Sequence, residues 1–139
     1  MTIVIINGPN LNLLGKRQPH IYGSERFEDY LHQLEVTYPY IDFIYRQHNL
    51  EGEIINTLHE FGFSTNGIIL NPGGFTHTSV AIADAIRSIY CPVVEVHISM
   101  LFGREPYRQK SLSASACKGF ICGFGLESYR LAVESLIQK

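Results

Sequence analysis

Short apolar runs alternate with longer amphipathic segments along the whole chain, and this alternation limits the possible folds more than any other feature. The first run, residues 3–6, contains only Ile and Val, and Asn7, Gly8, Pro9 and Asn10 follow it directly. A continuous apolar run that ends in turn residues predicts a strand buried on both faces, as strands of a parallel sheet are. Strands are predicted over residues 3–6, 42–47, 67–70, 93–98 and 120–122.

Helices are predicted in the intervals between these strands, because apolar residues recur there at helical spacing. Ser24 is the expected N-cap of the first helix and Pro39 its stop. Asn49 and Gly62 are expected to cap the two ends of the second helix. The side chains predicted to face the core are Phe27, Leu31, Leu34, Tyr38, Ile54, Leu58, Phe61, Ile82, Ile86, Ile89, Tyr129, Val133, Leu136 and Ile137.

Strands that alternate with helices predict a parallel sheet covered by helices on both faces. Five such units predict an α/β fold, a flavodoxin-like three-layer sandwich whose five-stranded sheet has the order 2-1-3-4-5. The last helix is predicted to run from Leu126 to the end, and residues 12–23 and 100–115 are predicted as loops. A length of 139 residues suits one core, so a single catalytic domain is expected over residues 1–139.

Composition and motifs exclude several classes of function. The formal net charge of -2 gives no basic field for nucleic acid, and no apolar run approaches the ~20 residues of a membrane span. The first residues lack the features of a signal peptide, which predicts a cytoplasmic protein. Cys91, Cys117 and Cys122 lack metal or redox spacing and are predicted to be buried thiols. No phosphate loop, complete dinucleotide fingerprint, zinc-site His pair or nucleophile elbow is present.

Polar residues gather where such a fold binds its ligand. Ligands lie beyond the carboxyl ends of the strands, where the strand order reverses, and here that point falls between the first and third strands. Three loops distant in sequence would meet there and bring together cations, amides and imidazoles, with few carboxylates. The residues concerned are Asn7, Asn10, Lys16, Arg17, His20, Tyr22, Asn71, Thr76, His77, Thr78, Ser79, His97, Ser99, Arg104 and Arg108. This combination predicts a site for a small, oxygen-rich anion.

Three motifs at these positions resemble the signatures of type II dehydroquinases, in family order and over nearly the whole chain. The motifs are residues 7–15 with Arg17, Pro19, Tyr22 and Gly23; residues 71–74 with residues 76–79; and residues 95–99 with Arg104 and Arg108. The resemblance implies dehydration of 3-dehydroquinate to 3-dehydroshikimate by anti elimination of water through an enolate. It also implies a reaction that uses no metal, no cofactor and no covalent intermediate. Such a reaction serves the shikimate pathway or quinate breakdown.

Catalytic roles follow from the same resemblance. Tyr22 corresponds to the general base that removes a proton next to the ketone. A free tyrosine has a pKa of about 10, so this base needs nearby cations, and Arg17 and Arg104 correspond to the family's supply of them. His97 corresponds to the general acid that protonates the departing hydroxyl. Asn10 corresponds to a residue that holds a water against the enolate oxygen.

Substrate-binding roles are implied for a second group of residues. Asn71 and the backbone N–H groups of Ile98 and Ser99 correspond to the site for the substrate carboxylate. His77 and Arg108 correspond to groups that bind the ring hydroxyls, and Arg104 is expected to contact substrate as well as the base.

The resemblance extends to assembly, since Asp84 corresponds to a carboxylate that reaches the site of a neighbouring subunit. It therefore implies a homododecamer, built as a tetramer of trimers. Four positions depart from the family's usual pattern, and none of them is a predicted catalytic position. They are Gln18, Ala83, Met100 and Pro106.

Two other hypotheses stay open at this point. The first is a non-enzymatic, flavodoxin-like module that binds a carboxylate ligand. Tyr22, Arg17 and His97 argue against it, because binding alone requires neither a base nor an acid. The second is a nucleotide- or flavin-binding domain, which the missing phosphate loops argue against.

Overall fold

The structure, a computed structural model, describes residues 1–137. Its strands are β1 (Thr2–Asn7), β2 (Asp42–Gln47), β3 (Gly67–Asn71), β4 (Val93–His97) and β5 (Gly119–Cys122). Its helices are α1 (Pro19–Tyr22), α2 (Phe27–Thr37), α3 (Glu51–Phe61), α4 (Val80–Ser88) and α5 (Glu127–Ile137). Single turns of 3-10 helix occupy Leu11–Leu13, Gly73–His77, Leu101–Gly103, Pro106–Arg108 and Ala114–Ala116.

All five strands form one parallel sheet in the order β2-β1-β3-β4-β5, so the predicted fold class and strand order are confirmed. Successive side chains of a strand point to opposite faces. Ile3 and Ile5 therefore pack into the core beneath α2 and α5, whereas Val4 and Ile6 pack into the core beneath α3 and α4. Both faces of β1 are buried, which explains why its sequence is a continuous apolar run.

Two predicted helix caps are wrong. α2 begins at Phe27, and Ser24 is too far from its first turn to receive a backbone N–H. Asn49 does not cap α3. Its Oδ1 atom accepts hydrogen bonds from the backbone N–H of Asn10 at 3.1 Å and from Nε2 of Gln47 at 3.0 Å. The Asn49 side chain thus ties the end of β2 to the loop that follows β1.

Smaller differences concern element ends and burial. Gly62 ends α3 as predicted, but the two predicted loops contain 3-10 turns and, in the first, the short helix α1. Ile89 lies just beyond α4. Several residues predicted to be buried are only partly so: Leu31, Phe61, Ile89, Leu136, Ile137, Cys117 and Cys122. Cys91 is buried as predicted, and the predicted continuation of the last helix over residues 138–139 lies outside the described residues.

Within residues 1–137, no helix has both the length and the apolar character that crossing a bilayer requires.

Candidate active site

A cleft of about 140 Å³ opens beyond the carboxyl ends of β1, β3 and β4, at the predicted point of strand reversal. Six residues expected near this point do not line it: Asn7, Lys16, His20, Thr76, Thr78 and Ser79. Of the eleven residues that were given catalytic or substrate-binding roles, ten line it: Asn10, Arg17, Tyr22, Asn71, His77, His97, Ile98, Ser99, Arg104 and Arg108. The remaining one, Asp84, lies on an exposed face of α4, with Oδ1 3.6 Å from a guanidinium nitrogen of Arg87. No Asp or Glu of the described chain lines the cleft, although Glu105, which is not part of the lining, has Oε1 3.0 Å from Nε of Arg108 and 3.7 Å from Nε of Arg104.

A close backbone contact joins the loops that follow β1 and β3. The N–H of Gly8 donates to the carbonyl oxygen of Asn71 at 2.8 Å. A Cβ atom at position 8 would lie 2.7 Å from the carbonyl oxygen of Pro72, so only glycine fits. Asn10 follows with φ of 70°, a left-handed conformation that asparagine tolerates better than most residues. The turn residues after β1 therefore place Asn10 at the cleft.

Tyr22 lies at the end of α1, in a segment between two glycines with positive φ, Gly15 at 90° and Gly23 at 84°. A guanidinium N–H of Arg104 donates to the Tyr22 hydroxyl oxygen at 2.8 Å. The guanidinium carbon of Arg17 lies 4.7 Å from the centre of the Tyr22 ring. A charged donor on the phenol oxygen and a second cation over the ring both stabilise a phenolate. The two cations predicted for Tyr22 are therefore both in contact with it.

His97 ends β4, and its imidazole contacts the carboxylate of Glu95. Its Nε2 atom lies 2.6 Å from Oε2 of Glu95, which has no exposed surface. Burial raises the pKa of Glu95, but hydrogen bonds from His97, Ser113 and Thr76 outweigh it and leave that pKa below its ordinary value. Glu95 is therefore a carboxylate that accepts the N–H of Nε2, and Nδ1 of His97 is the ring nitrogen left for proton transfer.

The floor of the cleft is a buried network of amides and phenols. Nδ2 of Asn71 donates to the Tyr129 hydroxyl at 2.9 Å, and that hydroxyl donates to Oδ1 of Asn7 at 2.7 Å. Oδ1 of Asn71 accepts the N–H of Gly73 at 3.1 Å. These bonds fix the orientation of the Asn71 amide and leave its second N–H for a ligand.

The opposite wall holds the remaining polar groups. Nδ1 of His77 donates to the carbonyl oxygen of Lys110 at 2.7 Å, which leaves Nε2 for a ligand hydroxyl. Nε of Arg108 donates to Oε1 of Glu105 at 3.0 Å. Ser99 follows β4 with Ile98, and its hydroxyl accepts from Arg104 at 3.2 Å. Arg104 therefore connects the base to the predicted carboxylate site.

From the sequence, Thr76 was expected near the ligand site, but Glu95 and Ser113 had no assigned role. Thr76 donates to the Glu95 carboxylate at 2.6 Å and Ser113 at 2.5 Å. A signal was present, because a glutamate in the otherwise buried strand Val93–His97 requires partners. Which residues supply them depends on tertiary structure alone.

Among residues 1–137, no group of three His, Cys, Asp or Glu side chains is placed to hold a metal ion. The cleft instead combines a tyrosine beside two cations, a histidine backed by a carboxylate, and further donors for anionic and hydroxyl oxygens. Fold and cleft together are those of an α/β enzyme that acts on a small anion.

Sequence and structure comparisons define the family. The chain is 49% identical over 137 residues to the 3-dehydroquinate dehydratase of Rhizobium etli, which covers 97% of this chain and 94% of that protein. It is 48% identical over 139 residues to the 3-dehydroquinate dehydratase of an Exiguobacterium species, over 99% and 95% of the two chains. The crystal structure of the type II dehydroquinase from Butyrivibrio crossotus superposes with a TM-score of 0.96 at 41% identity, over 99% and 98%. The dehydroquinase class II family profile matches residues 1–137, and the chain belongs to that family.

Proposed function

We propose that this chain is a lyase that dehydrates 3-dehydroquinate to 3-dehydroshikimate by anti elimination through an enolate. One observation carries the proposal beyond family membership. A tyrosine oxygen bound by Arg104 at 2.8 Å and an imidazole bound by Glu95 at 2.6 Å line the same cleft. A reaction that removes a proton and expels a hydroxyl needs one group of each kind.

Tyr22 is the base of this reaction. As the phenolate it takes the proton from the carbon next to the ketone, and the electron pair released forms the enolate. Arg104 and Arg17 stabilise the phenolate before the transfer, through the hydrogen bond to its oxygen and the contact with its ring. Asn10 lies at the cleft and holds a water that donates to the enolate oxygen.

His97 is the acid. The enolate re-forms the ketone as the carbon–oxygen bond to the leaving hydroxyl breaks, and the imidazolium gives its proton from Nδ1 to that hydroxyl, which departs as water. Nε2 stays bound to Glu95 throughout. Tyr22 has gained one proton and His97 has lost one, so the enzyme returns to its starting state by exchange with solvent.

Anchoring of the substrate uses the floor and walls of the cleft. The free N–H of Asn71 and the backbone N–H groups of Ile98 and Ser99 hold the substrate carboxylate. Nε2 of His77 and the guanidinium of Arg108 bind ring hydroxyls. Support comes from the position of all five residues on the cleft.

The direct test is turnover of 3-dehydroquinate by the purified protein, followed by the ultraviolet absorbance of the conjugated product. We expect full activity after chelation and dialysis, because the proposed steps use only groups of the protein and water. Activity that disappears on chelation and returns with a metal ion would contradict the mechanism. Binding of 3-dehydroquinate without turnover would instead support the non-enzymatic carboxylate-binding module, which no contact in the cleft favours.

We further propose that the chain forms a homododecamer in which Asp84 completes a neighbour's site. Exposure of Asp84 on α4, outside its own cleft, is compatible with such a role. Light scattering should give the mass of twelve chains, and Asp84→Asn should lower turnover more than Asp29→Asn, an exposed control on α2. A monomer that is fully active would refute the proposal. The cytoplasmic location stays a prediction.

A further inference from the structure

The Glu95 carboxylate is enclosed by side-chain donors from three separate parts of the chain. Its Oε2 atom accepts from Nε2 of His97 and from the hydroxyl of Thr76, each at 2.6 Å. Its Oε1 atom accepts from the hydroxyl of Ser113 at 2.5 Å. Glu95, Thr76 and Ser113 all have no exposed surface. A buried carboxylate is costly unless it is paired, and these bonds pair it.

The direction of the hydroxyl protons follows from counting them. Each hydroxyl carries one proton, and the Thr76 proton is directed to Glu95. Ser111 must therefore be the donor in its 2.6 Å contact with Thr76. The Ser113 proton is directed to the other carboxylate oxygen. The Thr76 and Ser113 protons thus point toward Glu95 and the Ser111 proton toward Thr76, which suits an ionised carboxylate and opposes a protonated one.

We infer that Thr76 and Ser113 are positioning residues for the acid step, because their hydroxyls hold Glu95 ionised and so keep the shared proton on Nε2 of His97. With that proton fixed, Nδ1 is the nitrogen that faces the leaving group. The inference rests on the proposed function, since it assigns His97 the acid role. Neither hydroxyl touches the cleft, and both act through Glu95.

Removing one hydroxyl should change how the Glu95–His97 pair binds its protons. The carboxylate, short of a donor, would hold a proton more tightly, and part of the population would become neutral glutamic acid beside neutral imidazole. The pair as a whole would then lose its proton at higher pH, and the fraction that carries a reactive imidazolium would fall.

The other groups facing this pair are few. The Cys117 thiol lies 3.9 Å from Oε1, and burial together with the charge of Glu95 raises its pKa to about 12, so it stays protonated. Phe120 packs on the His97 ring and does not titrate. Groups on the cleft side of His97 are Tyr22, Arg17, His77, Arg104 and Arg108, and the substitutions below change none of them.

Kinetics of matched variants test the inference. Thr76→Val removes the hydroxyl and keeps the shape, and we expect kcat to fall about tenfold or more with KM unchanged, the scale for losing an outer partner of a functional histidine. The basic limb of the kcat profile should move to higher pH, and Thr76→Ser should restore both properties. Ser113→Ala should act in the same direction. Thr57→Val, which removes a buried hydroxyl on α3 that bonds His48, is the control for stability. Folded Thr76→Val and Ser113→Ala variants with an unmoved limb would overturn the inference.

Nitrogen NMR of His97 in the resting protein separates this inference from the proposed function. In the wild type we expect a proton on Nε2 across the neutral range, and in Thr76→Val a partial loss of that proton from the ring. Both results are obtained without substrate, so they hold or fail whether or not 3-dehydroquinate is turned over. A wild-type ring that carries its proton on Nδ1 alone at neutral pH would overturn the inference even if every variant failed to fold.

Discussion

The acid and base sides of the cleft are built in different ways. His97 ends a strand of the sheet, is 5% exposed, and is backed by a carboxylate that has no exposed surface. Tyr22 lies in a four-residue helix between two glycines of positive φ, and its hydroxyl is bound by Arg104. His97 therefore belongs to the core of the protein, whereas Tyr22 belongs to a short helix in a loop at the cleft.

This difference indicates which parts of the site are coupled to folding. Removing one of the donors to Glu95 leaves a buried carboxylate with fewer partners, so it should cost both stability and activity. Tyr22 is only partly buried against the core, so a substitution that keeps its ring, or that removes one of its cations, should cost activity with little loss of stability. The acid side can therefore be altered only with consequences for the whole molecule.

The largest expected effect is on the base side. Tyr22→Phe keeps the ring and removes the oxygen, so kcat should fall by ~10²–10⁴, the range for losing a general base. The thermal midpoint should stay close to that of wild type. Tyr90→Phe, at a side chain that is 88% exposed, is the control. Near-wild-type turnover in Tyr22→Phe would remove Tyr22 as the base.

Glu95→Gln should separate the two sides most clearly. The amide cannot accept every hydrogen bond that the carboxylate accepts, so a buried donor is left without a partner and unfolding should become easier by about 1–3 kcal/mol. kcat should fall as well, because His97 loses its fixed proton. Glu53→Gln is a matched control, since Glu53 pairs with His48 but its side chain is 52% exposed. A loss of activity without a loss of stability would show that the acid side is no more coupled to folding than the base side.

Arg104→Ala should have a smaller effect, confined to activity. A hydrogen bond to a charged group is worth about 1.5–3 kcal/mol, so kcat should fall by roughly tenfold to 150-fold. In Arg17→Ala, kcat should fall less than in Arg104→Ala, because Arg17 contacts the Tyr22 ring, whereas Arg104 binds the Tyr22 oxygen. A larger loss in Arg17→Ala than in Arg104→Ala would show that the ring contact matters more.

The smallest effect on stability is expected at Glu105, which pairs with Arg104 and Arg108 of the cleft. Hydrogen bonds from the Tyr107 hydroxyl, together with Arg108, lower the pKa of Glu105 to about 2. A lowered pKa stabilises the fold above the ordinary carboxyl range, and the contribution disappears as pH falls toward 2. Glu105 is exposed, so the difference in thermal midpoint between wild type and Glu105→Gln should be slight near pH 7. This difference in thermal midpoint should become smaller below about pH 4.5. A difference that grows on acidification would contradict this assignment.

Sequence predicted the sheet well because β1, β3 and β4 are buried on both faces, and such strands are continuous apolar runs. The cleft residues could be predicted from the sequence for a related reason, since polar side chains that directly follow buried strands meet at one edge of the sheet. The cap at Ser24 failed because α2 begins after Arg26, and the cap at Asn49 failed because its side chain bonds Asn10 and Gln47 instead of α3. Glu95 went without a role because its donors Thr76 and Ser113 lie 19 and 18 positions away. The catalytic roles themselves stay predictions.

The Tyr129 hydroxyl also bears on the order in which the protein is made. Asn7 leaves the ribosome early, yet the hydroxyl that it accepts from belongs to α5 and lies 122 positions later. Nδ2 of Asn71 donates to the same Tyr129 hydroxyl. A nascent chain that has already formed β1 and β3 therefore has a cleft floor whose amides lack their phenol. Such a chain cannot hold Asn71 ready for a ligand until α5 has been synthesised and packed.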